Sequence, residues 1–572
     1  MRTIFCLALS AASVLAGDLT DRLQLTKTRV LEGTAPRFDE RFVLADASAQ
    51  PGRRFTEFSG DVSGRYIGAL SALAMESGER YTVLDRVVDG AIRVQQPDGH
   101  FGAWLSAGPV VDSDMATLWG NGRMLIGLLE YYALTHRADA LGAARKLGDF
   151  LVRAAPRFNA ADVREAYNHE KFAVGYICWT SALEGVVELY RVTKDARYLA
   201  LARSIAERTG RHPAQHSHGF LTTVRGVVAL YRVTGEARYL EQAETLWAGV
   251  IESGNVLTQG AVPEMFAPRA LRDEGCSEAD WMRLSLELWE ITRQPRYLEQ
   301  AELTLYNEMA MNQFHTGDYG HHTLTNEGIA EPFAHAWWCC TFHGLRALVA
   351  AFQRVFHGQD GALYYDLPVD GRGAVEGLGV RADSELERTA TVRLSVVEAD
   401  QRAHSLGIRM PQWATGVDLS LGAGKPLEAQ AEGGYLTASR VWQTGDVVTV
   451  RYAMRTRVVK REGQAAVFHG PWLLAVDESA SPNFFDEPAS ENQVELVEQD
   501  GHPQLEAAPQ TADLAGRFAV PVAHFVLHYR PGGYPMQPQM ALLRPIAEYT
   551  AGPDTNKLWF WLPLVVEQGR RP

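Results

Sequence analysis

The chain has 572 residues, of which 55 are Lys or Arg and 69 are Asp or Glu, so its formal net charge is −14. That length exceeds one ordinary hydrophobic core and predicts two or three domains. Apolar residues make up 46% and charged residues 22%, a composition that excludes a largely disordered chain. The acidic balance, without a basic stripe to neutralise phosphates, argues against a nucleic-acid-binding protein.

Residues 1–16 have the pattern of an export signal. Met1-Arg2 supplies the positive end, Ile4 to Leu15 form a short apolar run, and Ala16 before Gly17 is a suitable cleavage site. This run is too short to span a bilayer, and no later stretch is long and apolar enough to do so. We therefore expect a secreted or periplasmic protein without a membrane span.

The sequence of residues 17–358 predicts helical hairpins that repeat along the chain. Four segments share an aromatic residue, a Thr three positions later, a short polar turn and a second run with helical apolar spacing, and their threonines are Thr135, Thr193, Thr234 and Thr292. Ser77 holds the same place in an earlier copy, and a sixth candidate begins at Gly344. The unequal spacing of the copies favours a closed (α/α)6 barrel, with a cleft at the ends of its inner helices, over an open solenoid.

After His357 the pattern changes to short segments of alternating or continuous apolar residues separated by Gly, Asp and Pro. These segments predict a β-sandwich of the jelly-roll type over residues 359–480. Residues 481–572 begin with a polar, Pro-rich stretch and then contain two further strand patterns, either as a second β region or as the completion of the sandwich. The predicted strands are Thr391–Glu398, Ser405–Met410, Tyr435–Trp442, Val447–Met454, Ala465–Val476, Phe518–Tyr529 and Leu558–Val566.

The cysteines point to a metal rather than to a disulfide scaffold. Four of them remain once Cys6 leaves with the signal, and two of these, Cys339 and Cys340, are adjacent. A disulfide between neighbours would be strained, because their Cα atoms are only about 3.8 Å apart. With Glu274 and Cys276 they form a suitable tetrahedral Zn²⁺ set, and the alternative is that they are buried, inert thiols.

Several segments together resemble glycoside hydrolase family 127, the β-L-arabinofuranosidase family. The specific part is Glu-x-Cys followed far downstream by Cys-Cys, which appears here as Glu-Gly-Cys at 274–276 and Cys339-Cys340. The likeness covers most of residues 60–480. The segments that carry it are Pro263–Cys276, Leu305–Asn312, Trp337–Leu348, Arg409–Ala414, Gly434–Val448 and His469–Ala475.

The resemblance implies an (α/α)6 barrel followed by β-sandwich domains. It also implies a Zn²⁺ ion held by Glu274, Cys276, Cys339 and Cys340, with Cys339 as the nucleophile. The family's acid/base carboxylate lies upstream of the Glu-x-Cys pattern and corresponds to Glu264 in Pro-Glu-Met-Phe.

Two departures from the family pattern fall where the sugar should lie. Thr341-Phe342-His343 stands where the family usually has Pro-Pro-Asn, and Thr222 stands where family members have a His that aligns sugar hydroxyls. His218, four residues before Thr222, either replaces that His or lies in a solvated loop, and we favour the loop.

Other polar and aromatic residues are weaker candidates. A His-rich segment before the Cys pair is predicted to be a loop that lines the cleft, binds a second metal or is simply solvated; its residues are His315, Asp318, Tyr319, His321 and His322. Trp119, Trp337 and Trp338 either stack on a sugar or pack in the core, and core packing is favoured.

The sequence therefore predicts a secreted, zinc-dependent, retaining glycoside hydrolase. Its substrate would be an L-arabinofuranoside or a related pentofuranoside within an oligo- or polysaccharide. One alternative is a barrel-type polysaccharide lyase or unsaturated uronyl hydrolase, in which the Cys pair has no role. Another is a non-catalytic carbohydrate-binding protein that keeps a structural zinc.

Overall fold

The computed structural model describes residues 19–48, 53–168, 173–210, 215–266, 272–486, 493–494, 498–499, 502–503, 506–507, 525–530, 539–548 and 557–564. The predicted export signal, residues 1–16, lies outside these ranges. The chain divides into two compact units, Leu25–Arg354 and the combination of Met1–Gln24 with Val355–Pro572. No helix among the described residues is both long and apolar enough to cross a membrane.

Helices fill most of the unit from Leu25 to Arg354. In chain order they are α1 (Leu19–Glu32), α2 (Glu40–Leu44), α3 (Asp61–Ser77), α4 (Thr82–Val94), α5 (Asp112–Thr135), α6 (Ala138–Phe158), α7 (Ala161–Tyr167), α8 (Ile177–Thr180), α9 (Leu183–Thr193), α10 (Ala196–Ala206), α11 (Ser217–Thr234), α12 (Ala237–Glu252), α13 (Gly275–Thr292), α14 (Pro295–Leu303), α15 (Met309–Met311) and α16 (Trp338–Phe352). A π-helical turn, Thr304–Glu308, connects α14 to α15.

The inner wall of this unit is a closed ring of helices. Among the described residues, α3, α5, α9, α11, α13 and α16 each pack against the next in this order, and α16 packs back against α3. An open solenoid leaves its first and last repeats apart, so the predicted (α/α)6 barrel is confirmed and the solenoid is excluded.

The repeated Thr ends an inner helix each time it occurs. The hydroxyl groups of Thr135, Thr193, Thr234 and Thr292 donate to the carbonyl oxygen four residues earlier, at 2.7–2.8 Å. The residue after each Thr adopts a left-handed conformation, with φ between 54° and 71°, which terminates the helix. The Thr is therefore the local signal that turns the chain from the inner to the outer layer.

A β-hairpin precedes α16. Strand β1 (Tyr319–Leu324) pairs antiparallel with β2 (Gly328–Trp337), and His321 lies opposite His335. The prediction of a His-rich loop at 315–322 is thus wrong for residues 319–322. The strand can be buried because Asp273 of the neighbouring segment accepts hydrogen bonds from it, which satisfies polar groups that would otherwise need water.

The unit that includes Val355–Pro572 is built from sheets. A six-stranded sheet in the order β10-β9-β13-β7-β6-β5 and a five-stranded sheet in the order β11-β12-β8-β4-β3 form the predicted sandwich. A short helix, α17 (Leu386–Thr389), precedes β7. The strands are β3 (Phe356–Gln359), β4 (Ala362–Tyr365), β5 (Gly371–Val375), β6 (Leu378–Glu385), β7 (Thr391–Ala399), β8 (Ala403–Arg409), β9 (Ala414–Leu421), β10 (Lys425–Pro426), β11 (Gln430–Glu432), β12 (Tyr435–Val441) and β13 (Val447–Met454).

Most strands from Thr456 onward belong to another sheet, whereas β18 and β19 form a two-stranded sheet of their own. Strand β16 pairs with β15, β22 and β23, so the segment around 464–477 joins the C-terminal strands rather than the sandwich. Its apolar core includes Val467, Leu474, Phe484 and Leu543. The strands are β14 (Thr456–Arg461), β15 (Gln464–His469), β16 (Trp472–Asp477), β17 (Gln493–Val494), β18 (Glu498–Gln499), β19 (His502–Pro503), β20 (Glu506–Ala507), β21 (Phe525–Arg530), β22 (Gln539–Pro545), β23 (Leu558–Trp559) and β24 (Leu562–Pro563).

Candidate metal centre and active site

Three cysteine side chains meet at the N-terminal turns of two inner helices. Cys276 lies in the first turn of α13, and Cys339 and Cys340 lie in the first turn of α16. The positive end of a helix favours thiolate over thiol, so this position prepares the sulfurs to ionise or to bind a cation. The predicted convergence of these distant cysteines, which we call the sulfur cluster, is therefore present.

The spacing within the sulfur cluster suits a tetrahedral metal. The Sγ atoms of Cys276 and Cys340 are 3.6 Å apart, those of Cys339 and Cys340 are 4.0 Å apart, and all three thiols are free. Two thiolates on one tetrahedral zinc, at about 2.3 Å each, would lie about 3.8 Å apart. The three sulfurs thus fit a cation of the zinc type without rearrangement.

Gly275 allows the two helices to approach so closely. A Cβ atom at this position would lie 3.1 Å from the Cβ of Cys340 and 3.0 Å from the amide oxygen of Asn312. Any larger residue would push the start of α13 away from α16. The Gly of Glu-Gly-Cys therefore has a packing role that the spacing of Glu and Cys alone did not indicate.

Glu274 supplies a carboxylate beside the sulfur cluster. It precedes α13, is 4% exposed, and offers an oxygen within 4.8 Å of the Cys340 sulfur and a ring nitrogen of His321. Ser277 donates a hydrogen bond of 2.6 Å to its Oε2 atom, and Nε2 of His216 lies 3.4 Å from its Oε1 atom. Burial opposes ionisation, but His216 and the neighbouring histidines outweigh it and hold the pKa of Glu274 well below its usual range.

Among the three sulfurs, that of Cys339 is the most accessible and the most readily ionised. Cys276 and Cys340 are buried, whereas Cys339 is half-buried. Hydrogen bonds from Cys276 and Cys340 hold the pKa of the Cys339 thiol well below its ordinary value, while burial raises the pKa of the other two. Arg65 adds positive charge, since its Nη1 atom lies 3.3 Å from the Cys276 sulfur.

Glu264 lies beside Glu274. It is 6% exposed, and its carboxylate lies within 4.8 Å of the ligand atoms of Glu274 and His216. Burial and the charge of Glu274 raise the pKa of Glu264, although Arg272 donates a hydrogen bond of 2.6 Å to its Oε2 atom. A buried carboxyl group that keeps its proton is suited to act as a general acid.

Two histidines and an aspartate form a second side of the site. His218 is fully buried near the start of α11, and its Nδ1 atom lies 2.7 Å from Oδ2 of Asp280. The rings of His218 and His343 are 4.6 Å apart, and Trp119 contacts His218 at 5.3 Å. Burial and Arg65 lower the pKa of His218 to about 4, so the imidazole is neutral at pH 7.

The favoured position of His218 in a solvated loop is therefore wrong, because Asp280 and Trp119 provide it with a polar and aromatic environment inside the barrel. Trp119 is 3% exposed and forms part of the wall. Trp337 and Trp338 are half-buried and pack against each other at 5.3 Å. Core packing is therefore the role of Trp119, whereas for Trp337 and Trp338 it stays a prediction.

The residues of the predicted His-rich loop separate in the structure. His315 is exposed, and Asp318 forms an ion pair with an arginine of α1. His321 lies beside Glu274, with its Nδ1 atom 2.7 Å from the carbonyl oxygen of Asp273. His322 lies in a different cluster, which is described below.

Sequence analysis missed Arg65, His216 and Asp280. Asp280 accepts hydrogen bonds from Thr222 and Arg225, at 2.7 and 3.1 Å. A signal was present, because charged residues inside the apolar run that follows Cys276 are unusual unless they have partners. Without knowing which helices are neighbours, however, the sequence could not pair them.

Comparison with known proteins agrees with this geometry. Residues 19–353 match the family model described as β-L-arabinofuranosidase, GH127 catalytic domain, and residues 364–454 match that of the GH127 middle domain. The chain is therefore a glycoside hydrolase. It belongs to glycoside hydrolase family 127.

Solved structures show the same fold. Ara127N-Se, a GH127 β-L-arabinofuranosidase from Geobacillus stearothermophilus T6, is 16% identical, with coverage of 96% of this chain and 99% of that chain and a TM-score of 0.70. The GH127 β-arabinofuranosidase BT3674 is also 16% identical, with coverage of 95% and 94% and a TM-score of 0.71. No curated protein matches the chain significantly in sequence.

Proposed function

We propose that this glycoside hydrolase releases an L-arabinofuranosyl or related pentofuranosyl residue from an oligo- or polysaccharide with retention of configuration. One observation carries the proposal: of the three converging cysteines Cys339 is half-buried and the other two are buried, and the carboxyl group of Glu264 lies within 4.8 Å of that of Glu274, which borders the sulfur cluster. A retaining glycosidase needs such a nucleophile and such a proton donor.

In this proposal Glu274, Cys276, Cys339 and Cys340 hold a Zn²⁺ ion. When bound, the ion would keep the thiols deprotonated and hold their sulfurs in place. The family assignment and the sulfur spacing support this ligand set. Ser277 and His216 orient the Glu274 carboxylate from behind, as the partners of a metal ligand commonly do.

The first half of the reaction assigns one role to each catalytic residue. The Sγ atom of Cys339 attacks the anomeric carbon and forms a C–S bond as the bond to the leaving oxygen breaks. Glu264 donates its proton to that oxygen, and its raised pKa favours the protonated form that a general acid needs. The result is a glycosyl group bound to Cys339 and a released alcohol.

The second half returns the enzyme to its starting state. Glu264, now ionised, removes a proton from water, and the water oxygen attacks the anomeric carbon. The C–S bond breaks, and its electron pair returns to the Cys339 sulfur. Two inversions at one carbon give overall retention.

The polar wall formed by Arg65, His218 and His343 would bind the hydroxyl groups of the sugar. The neutral imidazole of His218 can both donate and accept a hydrogen bond, which suits a hydroxyl group. Because Thr222 and His343 depart from the family pattern, we propose that the preferred pentofuranoside is decided at this wall. Export of the enzyme, as proposed from residues 1–16, would bring it to extracellular polysaccharide.

A panel of aryl furanosides tests the proposal directly. The metal-loaded protein should hydrolyse an aryl β-L-arabinofuranoside or a close pentofuranoside and give a product of the same anomeric configuration by NMR. Aryl pyranosides of the same leaving group serve as the control and should be inert. Absence of turnover on every furanoside, or an inverted product, would contradict it and favour a lyase or a binding protein.

A further inference from the structure

A second group of acidic side chains is buried behind the sulfur cluster. Asp273, Glu278, Glu308 and His322 are each 0% exposed, and we call them the carboxylate cluster. They come from four elements: the segment before α13, α13 itself, the π-helical turn and strand β1. The proposed reaction uses none of them.

The cluster has the dimensions of a cation site. Ligand atoms of Asp273, Glu308 and His322 all lie within 4.8 Å of one another. The Nδ1 atom of His322 is 2.9 Å from Oδ2 of Asp273, and the backbone N–H of His322 donates to Oδ1 of the same carboxylate. The Asp273 side chain is therefore fixed in orientation toward the strand that carries His322.

Glu278 and Glu308 have no such partners. Within the described residues, none of their four carboxylate oxygens has a hydrogen-bond partner. Two unpartnered carboxyl groups thus point into a space that also contains a third carboxylate.

Buried carboxylates without partners are unfavourable, because the interior cannot replace the hydration of their charge. Two arrangements relieve this cost: the groups share protons, or a cation replaces them. Glu308 ends a π-helical turn, a rare local geometry that costs helix stability and concentrates at functional sites. A bound cation would explain why a π-helical turn places the Glu308 carboxylate beside the other carboxylates. Proton sharing alone would not require a turn of this kind.

We propose that Asp273, Glu278, Glu308 and His322 bind a divalent cation of their own, separate from that of the sulfur cluster. Three carboxylates and one imidazole form a set dominated by hard oxygen ligands, which suits a cation of the Mn²⁺ class and not one that prefers thiolates. Because Asp273 immediately precedes Glu274, the cation would fix the backbone from which Glu274 reaches the sulfurs. The inference does not depend on the proposed glycosidase activity.

Mn²⁺ binding to the purified full-length protein tests this inference. The metal-free protein is first given one equivalent of Zn²⁺, which the thiolates of the sulfur cluster bind in preference to carboxylates. It is then titrated with Mn²⁺ while free Mn²⁺ is followed by electron paramagnetic resonance. We expect about one further equivalent to bind, with an increase in Tm. Absence of binding by the folded wild-type protein would overturn the proposal in favour of shared protons.

Three variants locate the binding. Glu278→Gln and Glu308→Gln should each weaken Mn²⁺ binding at least about tenfold while elemental analysis still finds the Zn²⁺ equivalent. Glu287→Gln is the matched control, because Glu287 lies on the same helix but pairs with Arg225, and it should bind Mn²⁺ as the wild type does. Unchanged Mn²⁺ binding by both cluster variants would place the ion elsewhere and overturn the assignment. If a variant does not fold, the titration of the wild-type protein still shows whether a further Mn²⁺ ion binds.

Discussion

A carboxylate oxygen of Glu264 lies within 4.8 Å of one of Glu274, yet their environments push the two groups in opposite directions. Burial and the charge of Glu274 raise the pKa of Glu264, whereas the histidines around Glu274 lower its pKa despite burial. Neighbouring carboxyl groups that differ in this way can take different roles. Glu274 is suited to remain an anion that binds a cation, and Glu264 is suited to carry a proton.

Replacing the proposed nucleophile should abolish turnover. We expect Cys339→Ser to lower kcat/KM at least about 10⁴-fold, because a hydroxyl group is a far weaker nucleophile than a thiolate. When catalytic residues act as a unit, the loss of one of them removes most of the rate enhancement that the unit provides. Mass spectrometry with a slow substrate should find a glycosyl adduct on the wild type and none on the variant. Cys178→Ser is the control, since Cys178 is another free thiol of the same barrel. Full activity of Cys339→Ser would refute the assignment.

Replacing the proposed acid should give a defect that depends on the leaving group. We expect Glu264→Gln to lower kcat about 10²–10⁴-fold for alkyl glycosides, the usual contribution of general acid catalysis. Formation of the glycosyl group on Cys339 should be nearly normal for a dinitrophenyl glycoside, whose leaving group needs no proton. Burst kinetics would separate the two cases, and an equal loss for both substrates would argue for a structural role.

The dependence of kcat/KM on pH should change when Arg272 is replaced. A general acid is active while protonated, so activity conferred by Glu264 is present below its raised pKa and is lost as the pH rises through it. Arg272 donates to Glu264, and its positive charge favours the ionised form. Removing that charge with Arg272→Gln should move the falling alkaline limb of kcat/KM to higher pH. Arg238→Gln removes a distant, exposed charge and should leave the limb in place; equal profiles for all three proteins would contradict the prediction.

Removing metal should cost both activity and stability. A ligand at about 1,000 times its Kd stabilises the folded state by about 4 kcal/mol, so a strong chelator should lower Tm and stop turnover. Zn²⁺ should restore both and Mg²⁺ should restore neither, because thiolates select zinc. A protein that stays active after elemental analysis shows no metal would contradict the proposed centre.

Asp280 should be a main determinant of stability. It is fully buried and forms ion pairs with Arg225 and Arg283, so Asp280→Asn would remove the ion pair of Arg283 and one of those of Arg225. We expect a loss of about 3–5 kcal/mol in the free energy of unfolding, measured in urea. Asp139→Asn changes an aspartate that is 52% exposed and should cost less than about 0.5 kcal/mol. Similar midpoints for both variants would contradict this.

The pH dependence of the same interaction has a definite sign. The pKa of Asp280 is well below its ordinary value because neighbouring histidines and Arg225 outweigh its burial. Its contribution to stability is thus present above the unfolded-state pKa and is lost as the pH falls through the folded-state value. The difference in stability between the wild type and Asp280→Asn should shrink in strong acid.

Local signals in the sequence predicted the barrel well. Each repeated Thr, such as Thr135, acts through a hydrogen bond to the carbonyl four residues earlier, and interactions of such short range are visible in a single sequence. The sulfur cluster was predictable through the resemblance to the family, because Glu-x-Cys and Cys-Cys are too short to assign Cys276, Cys339 and Cys340 to one site by spacing alone.

Long-range pairing was not predictable in the same way. His218 was assigned to solvent because nothing near it in sequence is its partner; its partner Asp280 lies on another helix. The strand at Tyr319–Leu324 was missed because its polar residues are typical of a loop until Asp273 is known to bind them. Both errors concern buried polar groups, whose burial depends on partners distant in sequence.

The packing of α16 against α3 has a consequence for the order of events during synthesis of the enzyme. Arg65 lies on the first helix of the ring, and the adjacent cysteines lie on the last, so these groups meet only after the ribosome has made nearly all of the barrel. Until then, single thiols face no neighbours with which to chelate an ion. Capture of the proposed Zn²⁺ ion would therefore wait until the ring is synthesised, and a chain truncated before Trp338 would lack two of the three sulfurs.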